Sequence, residues 1–378
     1  MRRPPVLFLI SLALFAALMA AGMTLACHKP LWNDELYSQI SSVQGISYAD
    51  MLGGKISEGN NCPLFYAMQK ILCGVVHYRL PAWKGGNVED AYAQVLLRVN
   101  SMVSMSLAAV VIFYFFARLA GLMPGIYAAL LFCASFVVWA YIAEARPYAL
   151  WVLLTVLQTL ALFHVLRSDE KSSRGLRGLA VVHWLLSLSS IFGTVQAVLA
   201  CCVLCMRRGM RPLRQWTGVL LVPLVAGFFY YWHAPKYPFR VGDVTNLIVM
   251  NVSLERLLFL GVYVLFVLLY PPWRRQMPRS AQDHILVFFA GLLLMSVTVI
   301  FFYKLREMPG HQGFEIANRY FMNLAPVSAL AAALAMARAL ESFRHDAWVR
   351  LNVHLAVGGF IIIEGLRAYT FLIGFYQW

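Results

Sequence analysis

The chain has 378 residues, of which 61% are hydrophobic and 13% charged, and its mean hydropathy is +0.68. Soluble globular domains use about 45–50% apolar residues, so this composition excludes one and points to a polytopic helical membrane protein. A net charge of +14 does not imply a nucleic-acid partner. The basic residues stand in short clusters between apolar runs, as cytoplasmic loops do under the positive-inside rule.

The first apolar run, Val6 to Ala26, follows Arg2 and Arg3. A signal-peptide core is about 7–15 residues, so the longer run is expected to stay as a first span, although Thr24-Leu25-Ala26-Cys27 loosely resembles a lipoprotein cleavage site. The two arginines put the N-terminus inside, which leaves 27–94 as an outer loop. Roughly 65 residues is too long for a plain connection. After Pro63, a residue suited to the first turn of a helix, Leu64, Met68, Ile71, Leu72, Val75 and Val76 recur at helical spacing. Gln69, Lys70 and His77 fall on the other side. This predicts an amphipathic helix along the membrane surface, roofing a cavity at the outer leaflet. Cys62 and Cys73 lie in this segment and could pair; Cys201, Cys202 and Cys205 lie in an apolar run as small packing residues.

Spans are then expected at 95–117, 121–141 and 147–166. They leave Arg118 inside, Glu144-Ala145-Arg146-Pro147 outside and 167–177 inside. The apolar stretch 178–206 cannot be one crossing, because the basic stretch RRGMRPLR would then lie outside. Two short helices turning near Ser189-Ser190-Ile191-Phe192-Gly193 satisfy the charge pattern, Gly and Ser being apt turn residues. Further spans are expected at 216–232, 255–272, 284–303, 320–340 and 351–375, with outer loops near 233–254 and 304–319. The expectation is one membrane-embedded domain over 1–378, with about 11 helices long or paired enough to enter a bilayer.

The outer face carries the unusual polar residues. Asp34 and Glu35 stand side by side just past the first span. Asn33 or Asp34 could cap a surface helix; a carboxylate at the mouth of an apolar cavity could instead act as a general base. Arg146 stands in a tight turn between two apolar spans. It could snorkel or pair with Glu144, or grip a lipid phosphate with its planar fork. Arg319 opens a late span after a loop holding Lys304, Arg306 and His311; basic and aromatic residues are common at such helix ends.

At these residues the sequence resembles the polyprenyl-phosphate-sugar-dependent glycosyltransferases of the GT-C fold, in the branch with protein O-mannosyltransferases and lipid A aminoarabinose transferases. Four stretches carry the resemblance over residues 30–330: Asp34-Glu35 in WNDELYSQ, Cys62-Pro63-Leu64-Phe65-Tyr66, Ala145-Arg146-Pro147-Tyr148-Ala149-Leu150, and Arg319-Tyr320-Phe321-Met322-Asn323-Leu324-Ala325-Pro326. The short helical hairpin is also similar to a feature of that fold. The family commonly has an acidic residue or His just before its Pro pair, used in some members for a metal. Here Asn60, Asn61 and Cys62 stand there, with Glu58 two positions earlier, so a divalent metal on Glu58 and Asn61 is only weakly implied. The chain lacks the extended outer C-terminal domain of larger relatives, which leaves the acceptor open among protein, lipid and glycan.

The resemblance implies inverting transfer of a sugar from a polyprenyl-phosphate donor to an acceptor hydroxyl on the outer face of the cytoplasmic membrane. Asp34 would be the base, with Glu35 orienting its neighbours or holding sugar hydroxyls. Arg146, Arg319, Lys304 and Arg306 would stabilise the leaving phosphate. Tyr66, Tyr148, Tyr320 and His311 would line the substrate. Two other classes compete. A transporter or flippase of a lipid-linked or anionic small molecule would explain buried polar groups such as Gln158, His164 and His183, though the two halves of the sequence show no repeat. A noncatalytic scaffold would need neither the Asp–Glu pair nor the ordered motifs.

Overall fold

The computed structural model describes residues 4–56, 58, 61–81, 85–168, 173–208, 216–235, 239–241, 251–269, 281–305, 314–316, 318–343 and 345–376. Fifteen α-helices are described: α1 (Pro4–His28), α2 (Asn33–Tyr37), α3 (Tyr48–Leu52), α4 (Pro63–Val75), α5 (Ala91–Leu119), α6 (Leu122–Cys133), α7 (Phe136–Ile142), α8 (Tyr148–Arg167), α9 (Ser173–Ser189), α10 (Ile191–Arg208), α11 (Val222–His233), α12 (Leu254–Leu269), α13 (Ala281–Leu305), α14 (Leu324–Ser342) and α15 (Ala347–Tyr376). Wider π-type turns at Ser38–Gln44 and Thr217–Leu221 extend α2 and precede α11, and a 3-10 turn at Asn318–Phe321 leads into α14.

Among the described residues six helices are long and apolar enough to cross a bilayer, and a seventh span results if the bent pair α6–α7 is one crossing. The protein is therefore a multi-pass helical membrane protein. The single helix expected over 121–141 is broken between Cys133 and Phe136 by a 65° bend. No Pro or Gly marks that break; its reason is tertiary. Breaking the helix frees the Leu131 carbonyl, and the fully buried Arg256 of α12 donates to it at 2.6 Å. The same guanidinium donates to Ala325 O and Ser328 Oγ of α14, both at 3.0 Å, and pairs with Glu364 of α15. One charged side chain thus ties four helices together.

The centre of the bundle is built on α8 and α14, whose candidate spans are 78% and 83% buried. In α14, alanines at 325, 329, 331, 332, 333, 335 and 337 are buried. Lipid tails are as apolar as leucine, so helices in a membrane gain from close approach, which small side chains permit. α1 and α15 stand at the rim and leave most of their apolar surface outward.

The chain turns at Ser190 between α9 and α10, within the stretch where the charge pattern required a turn. A Cβ on Gly193 would overlap the Leu186 carbonyl. Gly193→Ala is accordingly expected to lower stability by about 1–3 kcal/mol through overpacking, read as a lower unfolding midpoint of the purified protein in detergent.

The segment expected as the first outer loop forms α2, α3 and α4, with Pro63 opening α4 as expected. The face that α4 turns to the protein mixes the two sets: Leu64 and Met68 pack on the core beside polar residues. Gln69 is buried, donating to Leu97 O at 3.0 Å and accepting from Asn100 at 2.8 Å. Lys70 turns in to the carbonyls of Val43 and Ile46. Ile71 and Val75 are exposed instead. Polar residues serve here as inward partners for loop and helix-end backbone. Cys62 and Cys73 do not pair: both are free and buried, with Cys73 accepting from Gln39. The loops expected at 233–254 and 304–319 also meet, since Phe239–Val241 and Phe314–Ile316 pair as two short parallel strands, Arg240 opposite Glu315. Apart from this pair the described architecture is helical.

Candidate functional site

The end of α1, the starts of α5 and α8, and the turn between α9 and α10 all lie at one end of the bundle. Two arginines organise it. The first, Arg98 on α5, is fully buried with Glu35. Its Nη1 donates to the carbonyls of Ala26 and Lys29 and its Nη2 to Pro30 O, which satisfies backbone groups that α1 leaves unpaired at its C-terminus. Its Nε and Nη2 also donate to Glu35 at 2.9 and 2.6 Å. Glu35 Oε1 accepts from the Ala145 backbone N–H at 2.6 Å, and Oε2 accepts from Trp32 N at 3.3 Å. Of the two roles expected for Glu35, its geometry is that of the orienting one, because both oxygens are occupied by the scaffold.

Glu35 thereby carries α2 to the turn that holds Arg146. Ser101 of α5 steadies that turn from below, donating to Glu144 O and Arg146 O. The α2 start is capped through Glu35 reaching back to Trp32 N; neither Asn33 nor Asp34 caps it. Asp34 is left to face outward.

Arg146 is the second organiser. Nη1 donates to Asp34 O at 3.0 Å, Ser38 Oγ at 2.9 Å and Glu58 Oε1 at 3.2 Å. Nη2 contacts Glu58 Oε2 at 2.9 Å and donates to Tyr148 Oη at 3.1 Å. The Asp34 carboxylate lies 4.0 Å from Nη1. Burial works against the charge of Arg146, yet Tyr148, Glu58, Tyr66 and Asp34 around it hold the guanidinium above its ordinary pKa. Ser38 donates to Glu58, and Asn61 bridges Glu58 Oε2 and Tyr66 Oη at 3.3 and 3.1 Å. Burial, then the Glu58 charge, pushes the Tyr66 phenol well up, so it is a neutral group here. Burial likewise pushes the Cys62 thiol up, which removes it as a nucleophile.

Exposure separates the acids of this cluster. The side chains of Glu35, Glu58 and Asp34 are 0%, 8% and 35% exposed. Asp34 is the most exposed of the three.

The hairpin turn closes one wall: Cys62 N donates to Ser189 O, and Asn61 bridges to Ser190. One turn beyond Tyr148, Trp151 stacks on Phe192 of α10 with ring centres 6.3 Å apart, and Phe192 meets Tyr320 at the same distance. The 3-10 turn bearing Arg319 and Tyr320 is therefore joined to the Arg146 region through an aromatic run. Six of the expected residues, Asp34, Glu58, Asn61, Tyr66, Arg146 and Tyr148, are brought together. The side chains of Lys304 and Arg319, and residues Arg306 and His311, lie outside the described part.

Glu58 and Asn61 do not fit a divalent cation. Both Glu58 oxygens are held by Arg146, with Ser38 and Asn61 filling the remaining directions. Among the described residues no three His, Cys, Asp or Glu side chains gather.

Sequence reasoning missed Arg98 and placed Ser38 nowhere. Arg98 had a signal: an arginine four residues inside a predicted span is costly unless buried with a partner. Ser38 had none. Of the polar groups that suggested transport, Gln158 is enclosed in a network with Gln196, Thr155 and Asn323. His183 is buried and bonded to Val219 O, and His164 is exposed.

Fold and site together define a multi-pass helical membrane protein with a carboxylate–guanidinium cluster at one end of its bundle. No protein-family model matches the chain, and no curated protein matches it.

Proposed function

We propose that the protein is a membrane glycosyltransferase that moves a sugar from a polyprenyl-phosphate donor to an acceptor hydroxyl, with inversion, on the outer face of the cytoplasmic membrane. If α9, α10, α11 and α12 also enter the membrane beside the six or seven spans, the total reaches the eleven or so segments expected of a GT-C-like bundle. The observation that carries the reading is the asymmetry of the acids. Glu35 and Glu58 are saturated by Arg98 and Arg146, while Asp34 is partly open beside a buried cation.

In this reading Asp34 takes the proton of the acceptor hydroxyl as its oxygen bonds to the anomeric carbon. The bond from that carbon to the phosphate oxygen breaks, and the polyprenyl phosphate leaves with the electron pair. The leaving group is already anionic, so it needs positive charge more than a proton. Arg146 is the described cation beside Asp34, and Arg319, Lys304 and Arg306 would add further positive charge. Tyr66, Tyr148 and Tyr320, with His311, would border the sugar. The polyprenyl tail would remain between helices and confine the encounter to one leaflet.

The test is transfer from a panel of polyprenyl-phosphate sugars by the purified protein. Label moving to an acceptor supports the reading. Label crossing sealed vesicles with no such donor would make the protein a transporter instead. Arg146→Lys keeps a charge but loses the fork that spans Glu58 and Tyr148. Loss of a bond to a charged group predicts about a tenfold rise in KM for the donor, measured by initial rates, with the KM for the acceptor little changed.

A further inference from the structure

At the opposite end of the bundle from Asp34, α1, α5, α8 and α9 leave a groove of about 1210 Å³. Its walls are apolar: Phe8 and Leu12 from α1, Leu107 and Tyr114 from α5, Leu157 and Leu160 from α8. Its mouth is basic, because Arg118 closes α5 while His164 and Arg167 close α8. All three are exposed. Among the described residues no carboxylate pairs with either arginine.

The dimensions say what fits. From Leu107 to Arg118 on α5, and from Leu157 to Arg167 on α8, the helices rise about 15 Å at 1.5 Å per residue. That is about half of a 30 Å hydrocarbon core, the depth of one leaflet. An apolar trough one leaflet deep, ending in two arginines and a histidine at helix C-termini, matches a lipid with an acyl chain and an anionic headgroup. Basic pockets between transmembrane helices bind anionic headgroups on the cytoplasmic side, and the charge pattern of the sequence puts Arg118 and Arg167 on that side. Helix C-termini already favour cations, which accounts for one basic residue per helix. It does not account for the convergence of three at the mouth of one groove. The α9 wall is also open: Gly175 and Gly178 line it, and a Cβ on Gly178 would meet no atom within 4 Å.

We infer that this groove holds an anionic phospholipid of the inner leaflet, its phosphate on Arg118 and Arg167 and its acyl chain along α5 and α8. This site is separate from the Asp34 cluster and does not depend on the activity proposed for it.

The experiment is native mass spectrometry of the full chain in mild detergent, titrated with phosphatidylglycerol or with phosphatidylcholine of the same acyl chains. Phosphatidylglycerol should be retained preferentially. A basic residue near an anionic headgroup contributes about fivefold in affinity, so Arg118→Gln and Arg167→Gln should each reduce the preference by about that factor. Gly178→Phe, whose ring enters open space, should lower occupancy of both lipids while the unfolding midpoint stays near that of the parent. Equal retention of the two lipids by the parent chain would overturn the inference. So would a preference that survives in the double arginine variant, or undiminished occupancy in a folded Gly178→Phe protein.

Discussion

Asp34→Asn should abolish sugar transfer while leaving expression, membrane insertion and thermal stability unchanged. Among the described acids of its cluster the carboxylate is the most exposed, at 35%, and the chain around it is held by other groups. Its backbone carbonyl, not its side chain, takes the 3.0 Å bond from Arg146. Its side chain stands 4.0 Å from that cation, beyond hydrogen-bond distance. Asparagine keeps the size of aspartate but cannot accept a proton, so the loss expected is that of a general base, about 10²–10⁴-fold in rate. Initial rates with a saturating lipid-linked donor, alongside an unfolding curve, read both halves of the prediction. An asparagine variant that still transfers at the parent rate would remove Asp34 from the chemistry. Equal loss of rate and stability would instead make it a scaffold residue.

Arg98 is expected to behave in the opposite way. Arg98→Met leaves Glu35 fully buried with no cation beside it, and removes the donors that close the end of α1. Breaking a buried ion pair from one side costs about 3–5 kcal/mol. The same damage frees α2 from Ala145, so activity should fall with stability and not ahead of it. Glu35→Leu alone should be nearly as harmful, since an arginine is then stranded among carbonyls. Arg98→Met combined with Glu35→Leu should recover part of the loss, because apolar partners of similar volume can replace a buried pair. Unfolding midpoints of the four proteins in one detergent form the cycle. If the two single losses simply add in the double variant, the pair is not the coupling element described here.

The two neighbouring acids of the outer loop thus have different fates, and adjacent residues in a helix explain why. Successive side chains on a helix point about 100° apart, so Glu35 can face the bundle while Asp34 faces out. The sequence placed both at the mouth of the first span but could not say which one turned inward, because that depends on Arg98, more than sixty residues away. The same holds for α4. Its apolar spacing was legible, yet the side that faced protein was chosen by backbone carbonyls at Val43, Ile46 and Leu97, and those needed Gln69 and Lys70.

What the sequence determined by itself is what short-range chemistry controls. Apolar runs long enough for a bilayer set the helices and the membrane class. Arginine clusters between runs set the expected direction of crossing, and the forbidden outer position of the 207–214 stretch required the turn found at Ser190. Pro63 set the start of α4. Only the tertiary structure decided the bend between α6 and α7, the pairing of 239–241 with 314–316, and the capture of Glu58 by Arg146. Each joins groups far apart in the chain. In a lipid-like interior a polar group must find a partner inside the protein, and which partner it finds is settled when helices dock, not when they form.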